Sequence, residues 1–367
     1  MEENLKEVTQ KDVLKHYLSS ILVYGIILLL VAISPLFNQD FEWGYFNYIT
    51  VLSIYYVLYI LFAYPILLKR KPESILNSRS VAIINYFKKQ FNRGITITER
   101  LNNVTPSENE KQAFVIMFVK AFFTVIGLNL LCNKYLPMIG YDIDFMKTMF
   151  EQATQYSLNS GIFMAIAQYL EDTQDMWLTI MFTITTAVLT FSYMTETRIL
   201  GNKIKYADTT PLGIISCLMC YYPLILFTNK LLPLNQRELI PLENITIRTF
   251  VYIIILIANF GILIATLRLG TKSGNLTNRG IVTGFPYNIV RHPDYSMQIL
   301  YIIATSIPVY FIPDISIFTK ILGTTGVILW IYLYYLRAIT EERNLIEDEK
   351  YAEYTQKVKY RFIPKLF

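Results

Sequence analysis

Long apolar stretches alternate with short polar ones along the chain, and the apolar stretches have the length of a bilayer crossing. A crossing helix needs about 17 to 25 mostly apolar residues. Eight runs meet or approach that length: 18–37, 45–68, 112–132, 176–194, 210–229, 249–269, 295–312 and 317–336. Lipid leaves open strand edges unsatisfied, so the pattern predicts an all-α, polytopic transmembrane helix bundle of about eight spans with almost no sheet. GIFMAIAQYL (161–170) is too short and too polar at its approach to cross, and reads as interfacial or re-entrant. The first run follows MEENLKEVTQKDVLKH, which has neither a positive n-region nor a small-residue cleavage site, so it reads as a retained helix.

Composition supports this setting. Of 367 residues, 53% are apolar, 15% aromatic and only 17% charged, which does not suit a soluble domain of this size. Charge adds an orientation, because short basic loops stay on the cytoplasmic side. Bases gather between Lys69 and Lys111, again at Arg198, Lys203 and Lys205, and at Arg268, Lys272, Arg279 and Arg291. The alternate loops differ: NQDFEWG has no base, and Tyr141–Asp175 sets six acids against Lys147. With an even helix count both termini fall in the cytoplasm. The net charge of +5 is then explained by loops at a membrane surface, without nucleic acid. The chain divides into an N-terminal set of membrane helices with a long basic loop (1–175) and a C-terminal membrane half that carries the chemistry (176–367).

Cysteine adds little. Cys132, Cys217 and Cys220 all fall within predicted helices, and CLMC (217–220) lies in an apolar run without a second ligand pair, so it reads as small core residues and not as a metal site.

The last hundred residues change the picture. GFPYNIVRHPDYSMQ (284–298) holds one of only two histidines, next to an arginine and two prolines, directly before an apolar run. The other histidine, His16, lies in the polar N-terminal segment. The last run continues past the bilayer through LRAITEERNL, where Arg337, Glu341 and Leu345 follow at i, i+4 and i+8 and share a face. Trp330, Tyr332, Tyr334 and Tyr335 precede them as an expected aromatic belt at the interface. KYRFIPKLF at the end reads as an amphipathic cap lying on lipid. Histidine, tyrosine, arginines and paired carboxylates at a water–lipid junction suit a polar cofactor meeting an amphipathic acceptor. S-adenosylmethionine fits: its hydroxyls call for a carboxylate, its carboxylate for an arginine, and its sulfonium for aromatic faces.

NLTNRGIV, PYNIVRHPDY, EERNL and YRFIP, in this order, resemble the integral-membrane methyltransferases that include isoprenylcysteine carboxyl methyltransferase and the phospholipid N-methyltransferases. The resemblance covers 270–367 well and 195–222 more faintly. It implies a cofactor pocket built by the RHP segment, the ends of the last two helices and a C-terminal cytoplasmic cap. Carried over residue by residue, it implies cofactor contacts by Tyr287, His292, Pro293, Tyr295, Glu341 and Glu342. It gives catalytic roles to Arg337, near the acceptor, and to Arg291, serving either the cofactor or an anionic acceptor. It also implies S-adenosylmethionine as cofactor and a lipid-like or prenylated acceptor drawn from the bilayer. One departure stands out: Phe285 precedes Pro286 where the family has glycine, and Gly284 is displaced by one. Two other functions compete: an NADPH-dependent reductase resembling the membrane sterol reductases, and a non-catalytic lipid-binding membrane subunit.

Overall fold

The computed structural model describes residues 7–34, 47–91, 105–197, 199–231, 245–311 and 316–366. The loop NQDFEWG, Arg93, Arg100, Arg198 and the Pro313–Asp314 turn lie outside the described residues. Six helices are long and apolar enough to cross a membrane, which marks the chain as a multi-pass membrane protein. Among the described residues the only strands are two dipeptides, Tyr206–Ala207 (β1) and Thr277–Asn278 (β2), paired antiparallel.

The chain forms two compact units, residues 1–129 and 130–367. In the first unit, α1 (Gln10–Ile33) starts at a reciprocal Thr9–Asp12 capping box, and α2 (Tyr48–Arg70) ends at Lys71, whose positive φ of 38° stops the helix. Tyr17 and Tyr56 of the two helices donate to main-chain oxygens across their interface, at Ile60 (2.6 Å) and Ile21 (3.0 Å). A shorter helix, α3 (Arg79–Gln90), is capped by Ser78 and held to α1 by His16–Ser78 and Ser20–Ser80 hydrogen bonds. Ile83 of α3 then buries against Val23 and against Ala113 and Met117 of α4 (Glu108–Leu130).

The second unit opens with a π-helical turn, Leu131–Tyr135, then α5 (Leu136–Ser160) and α6 (Ile162–Met194). Here the structure corrects the reading of 161–170. Gly161, at φ +90°, breaks the chain, and residues 162–170 are the first turns of one helix of 33 residues. At 1.5 Å per residue it is about 50 Å long, longer than the roughly 30 Å hydrocarbon layer, which leaves room for its acids outside. Because α6 packs along both α5 and α9 (Ile245–Leu269), no unit boundary can fall in its middle.

Two expected spans are not single long helices. Run 210–229 is α7 (Pro211–Leu218) and α8 (Leu224–Leu231), broken at a turn that ends in Pro223. Proline lacks an N–H and cannot continue the ladder across that break. Run 295–312 is α10 (Pro293–Ser306) followed by a 3₁₀ segment, Ile307–Phe311. The last span, α11 (Ile317–Leu345), is followed by α12 (Glu349–Lys357), whose N-cap is Asp348. The predicted aromatic belt is also corrected: Trp330 and Tyr334 are buried in a core with Tyr295, Ile302 and Phe362, and Tyr332 faces outward.

Candidate functional site

The C-terminal ends of α6, α9 and α11 and the N-terminal ends of α7 and α10 meet at one end of the second unit. The loop after α9 is fixed there by buried hydrogen bonds. Ser192 donates to the carbonyls of Thr271 (2.8 Å) and Ser273, and Arg279 donates to the Ser192 carbonyl at 2.6 Å. Tyr193 accepts from the Asn275 main-chain N–H (2.6 Å) and side-chain amide (2.9 Å). These bonds place NLTNRGIV under α11.

A narrow cleft of about 370 Å³, counted out to its open mouth, lies between that loop, α7, α10 and α11. Arg337, Thr340, Glu341, Asn344 and Leu345 line it from α11, Tyr295 from α10, Asn275 from the loop, and Asp208, Ser216 and Cys217 from the α7 side. The predicted Arg337–Glu341–Leu345 face is thus the wall of one cavity. The two charges do not pair with each other. Arg337 is buried, donates to the Asn275 side-chain oxygen at 2.9 Å, and stands over the rings of Tyr295 (4.8 Å), Tyr334 (5.6 Å) and Tyr221 (5.7 Å). It meets no carboxylate within ion-pair distance among the described residues. Ring faces stabilise a desolvated guanidinium by about 2 kcal/mol or more. Glu341 accepts from the Tyr295 hydroxyl at 2.8 Å, and its side chain is 40% exposed.

Its neighbour, Glu342, faces the other way and is enclosed. It accepts from Arg291 Nε (2.7 Å), Arg361 Nε (2.9 Å) and His292 Nε2 (3.2 Å). Arg291 also donates to the carbonyls of Val358 (3.0 Å) and Lys359 (2.9 Å). The terminal segment is fastened by its backbone as well: the N–H groups of Arg291 and His292 donate to the Tyr360 and Arg361 carbonyls, both at 2.9 Å. Ser296 donates to Phe362 O at 2.8 Å, and the Phe362 ring is buried against Tyr295 and Trp330. Burying a phenylalanine adds about 1.5–3 kcal/mol to this closure. The structure therefore splits the sequence-derived residues into two groups. Arg337, Tyr295 and Glu341 line the cleft. Arg291, His292 and Glu342 form a clasp that holds 358–362, with Pro293 as the first residue of α10.

Tyr287 serves neither group directly. It is buried, donates to Ala265 O at 3.4 Å, and its own carbonyl accepts from Tyr354 of α12 at 2.6 Å. Burial, reinforced by Asp294 and Glu341, holds its hydroxyl far above the ordinary value, so it stays a neutral donor. Phe285 is 58% exposed and does not line the cleft. Gly284 has a steric reason: a Cβ there would lie 1.6 Å from Arg268 Nη2. On the other flank, Asp348 accepts from Asn278 at 3.1 Å and from Lys205. Burial opposes its charge, but these two hydrogen bonds prevail and hold the carboxyl below the usual range.

Sequence reasoning quoted Asn275 and Asn344 within motifs, and Asp208 within the fainter 195–222 match, but gave none of them a role. Asp208 is buried and accepts from Thr210 N (2.9 Å), Thr210 Oγ1 (2.6 Å) and Arg343 (3.2 Å). A Cβ on Gly213 would meet its Oδ2 at 2.0 Å. The aspartate and threonine at the start of a helix were the visible signal for this capping arrangement. The chain matches no protein-family model, and no curated protein matches it. The resemblance rests on four short motifs, of which NLTNRGIV, PYNIVRHPDY and EERNL contribute residues to the cleft and YRFIP to the clasp beside it.

Proposed function

We propose that the protein is an S-adenosylmethionine-dependent methyltransferase acting on a lipid-like or prenylcysteine-like acceptor at the cytoplasmic membrane face. One observation carries the proposal: a buried arginine without a carboxylate partner and a half-exposed carboxylate line the same aromatic cleft, and each comes from a motif that resembles the family. This donor set fits the cofactor. Glu341 would accept from its hydroxyls or amine, beside the Tyr295 ring that also lines the cleft. Arg337 would grip the polar head of the acceptor. Bound there, S-adenosylmethionine supplies an electrophilic methyl group, and the chain's part is in-line placement and exclusion of water. The cleft is narrow, so its walls must part to admit a ligand of nucleoside size.

An orientation with both termini cytoplasmic needs an even number of crossings. Helix α10 with its 3₁₀ extension is about 31 Å long, enough for one crossing, and the broken α7–α8 pair supplies another beside the six long helices. The competing NADPH reading loses two bases to the clasp, because Arg291 and Arg361 are committed to Glu342. The test is calorimetry of the purified protein with S-adenosylmethionine, its demethylated product and NADPH. Binding of the first two is expected, and NADPH binding alone would reverse the assignment.

A further inference from the structure

The amide and carboxylate side chains on the cleft wall are those of Asp208, Asn275, Glu341 and Asn344. Three of them have partners inside the protein. Asp208 accepts from Thr210 and Arg343. Asn275 is committed at both ends of its amide: the nitrogen donates to the hydroxyls of Tyr193 (2.9 Å) and Tyr221 (3.0 Å), and the oxygen accepts from Arg337. Glu341 accepts from Tyr295. Two hydroxyls beside them turn back onto their own helices, Thr340 donating to Arg337 O and Ser216 to Gly213 O. Asn344 differs. It is only partly exposed, and its side chain makes no hydrogen bond to any of the described residues. An amide left in this way offers a ligand two donors and an acceptor.

Glu341, Asn344 and Leu345 follow at i, i+3 and i+4, so they stand together on one face of α11, and Leu276 of the loop after α9 lines the same cleft. From Arg337 to Asn344 the wall runs about 10 Å, at 1.5 Å per residue, from a buried cation to a part-exposed amide. With Arg337 assigned to the acceptor and Glu341 to the hydroxyls of the cofactor, the next turn of α11 holds an open amide with apolar neighbours. A heteroaromatic base calls for that combination, apolar contact on its faces and a donor with an acceptor at its edge. We propose that Asn344 reads the adenine of the cofactor. Its oxygen accepts from the exocyclic amine, its nitrogen donates to the adjacent ring nitrogen, and Leu276 and Leu345 flank the ring. Asparagine reads adenine by the same paired contact in nucleic acids. A carboxylate could not replace it, because it has acceptors only and repels a ring nitrogen. The inference rests on the methyltransferase reading of the cleft and adds to it a contact specific for the base.

The test is calorimetry of the purified full-length protein, wild type and Asn344→Ala, with two compounds: S-adenosylhomocysteine and its analogue carrying hydrogen in place of the exocyclic amine. Loss of one neutral hydrogen bond corresponds to about three- to tenfold in affinity. Wild type is expected to bind the analogue more weakly by that factor. Asn344→Ala should bind S-adenosylhomocysteine more weakly than wild type does, and should bind the two compounds equally. Its melting temperature without ligand should stay near that of wild type, because the amide has no internal partner to lose. Equal binding of the two compounds by wild type would overturn the inference without recourse to any variant. A variant that keeps the full preference for the amine would overturn it too, since another group would then hold the base. In both of these cases S-adenosylhomocysteine still binds and the cofactor reading stands, whereas a wild type that does not bind S-adenosylhomocysteine at all overturns both.

Discussion

Glu341 and Glu342 are adjacent in sequence and opposite in circumstance. Glu342 is saturated by two arginines and a histidine and holds the terminal segment in place. Glu341 has one hydrogen-bond donor, Tyr295, with His292 Nδ1 at 3.8 Å, and faces a cleft. Arg291 and Arg337 divide in the same way: one is committed to a carboxylate and two carbonyls, the other to an amide oxygen and three rings. A polar group whose partners are all internal serves the fold, and one left incomplete in a cavity is available to a ligand.

The strongest way to break this comparison is at Glu342. Removing one member of a buried ion pair leaves the other charges uncompensated, at a cost of about 3–5 kcal/mol. Glu342→Gln keeps the shape, and we expect a fall in melting temperature larger than that of any single cleft variant. A Glu342→Gln protein as stable as wild type would refute the structural role. Next comes Arg337→Lys, which keeps the charge but loses the planar fork and its stacking. A charge-assisted hydrogen bond is worth about 1.5–3 kcal/mol, so turnover should fall at least about tenfold with cofactor affinity near normal. Loss of cofactor affinity to the same degree would mean that Arg337 and Glu341 line a single cofactor pocket. Glu341→Gln should weaken S-adenosylmethionine binding by about ten- to a hundredfold. It should change the melting temperature less than Glu342→Gln does, because Glu341 is 40% exposed and holds one hydrogen bond where Glu342 holds several.

The smallest effect concerns pH. Asp348 has a folded-state value below its unfolded value of about 3.9. Its contribution is therefore present above about pH 4 and is lost as pH falls through the depressed folded value. Asp348→Asn should lower stability by about 1 kcal/mol through the neutral range, with the difference from wild type shrinking as pH falls below about 4, so that the acid limb flattens. An unchanged acid limb would show that the contact with Lys205 and Asn278 adds nothing.

Much of the fold was legible because hydrophobic length is a one-dimensional signal. The crossings at 18–37, 45–68, 112–132, 176–194, 249–269 and 317–336 each correspond to a long apolar helix. The signal failed where local backbone chemistry interrupts an apolar run. The turn before Pro223 breaks 210–229, and Gly161 sets the start of a helix that absorbs the supposed interfacial segment. The site was legible as a set of residues but not as two groups. Spacing along α11 places Arg337 and Glu341 on one face, but it says nothing of Asn275, brought to Arg337 from 62 positions away. Nor does it say that Arg361 claims Glu342 before any ligand can. Partners distant in sequence decide which charges stay free.

The fastening of 360–361 onto 291–292 also sets an order of events in biosynthesis. A chain is made from its N-terminus, so Arg291 and Glu342 both exist before Arg361 does. Until Arg361 and Phe362 have been made, the carboxylate is short of one partner and the wall around His292 lacks a ring. A chain that stops before them would carry all six long apolar helices found among the described residues and still lack the clasp.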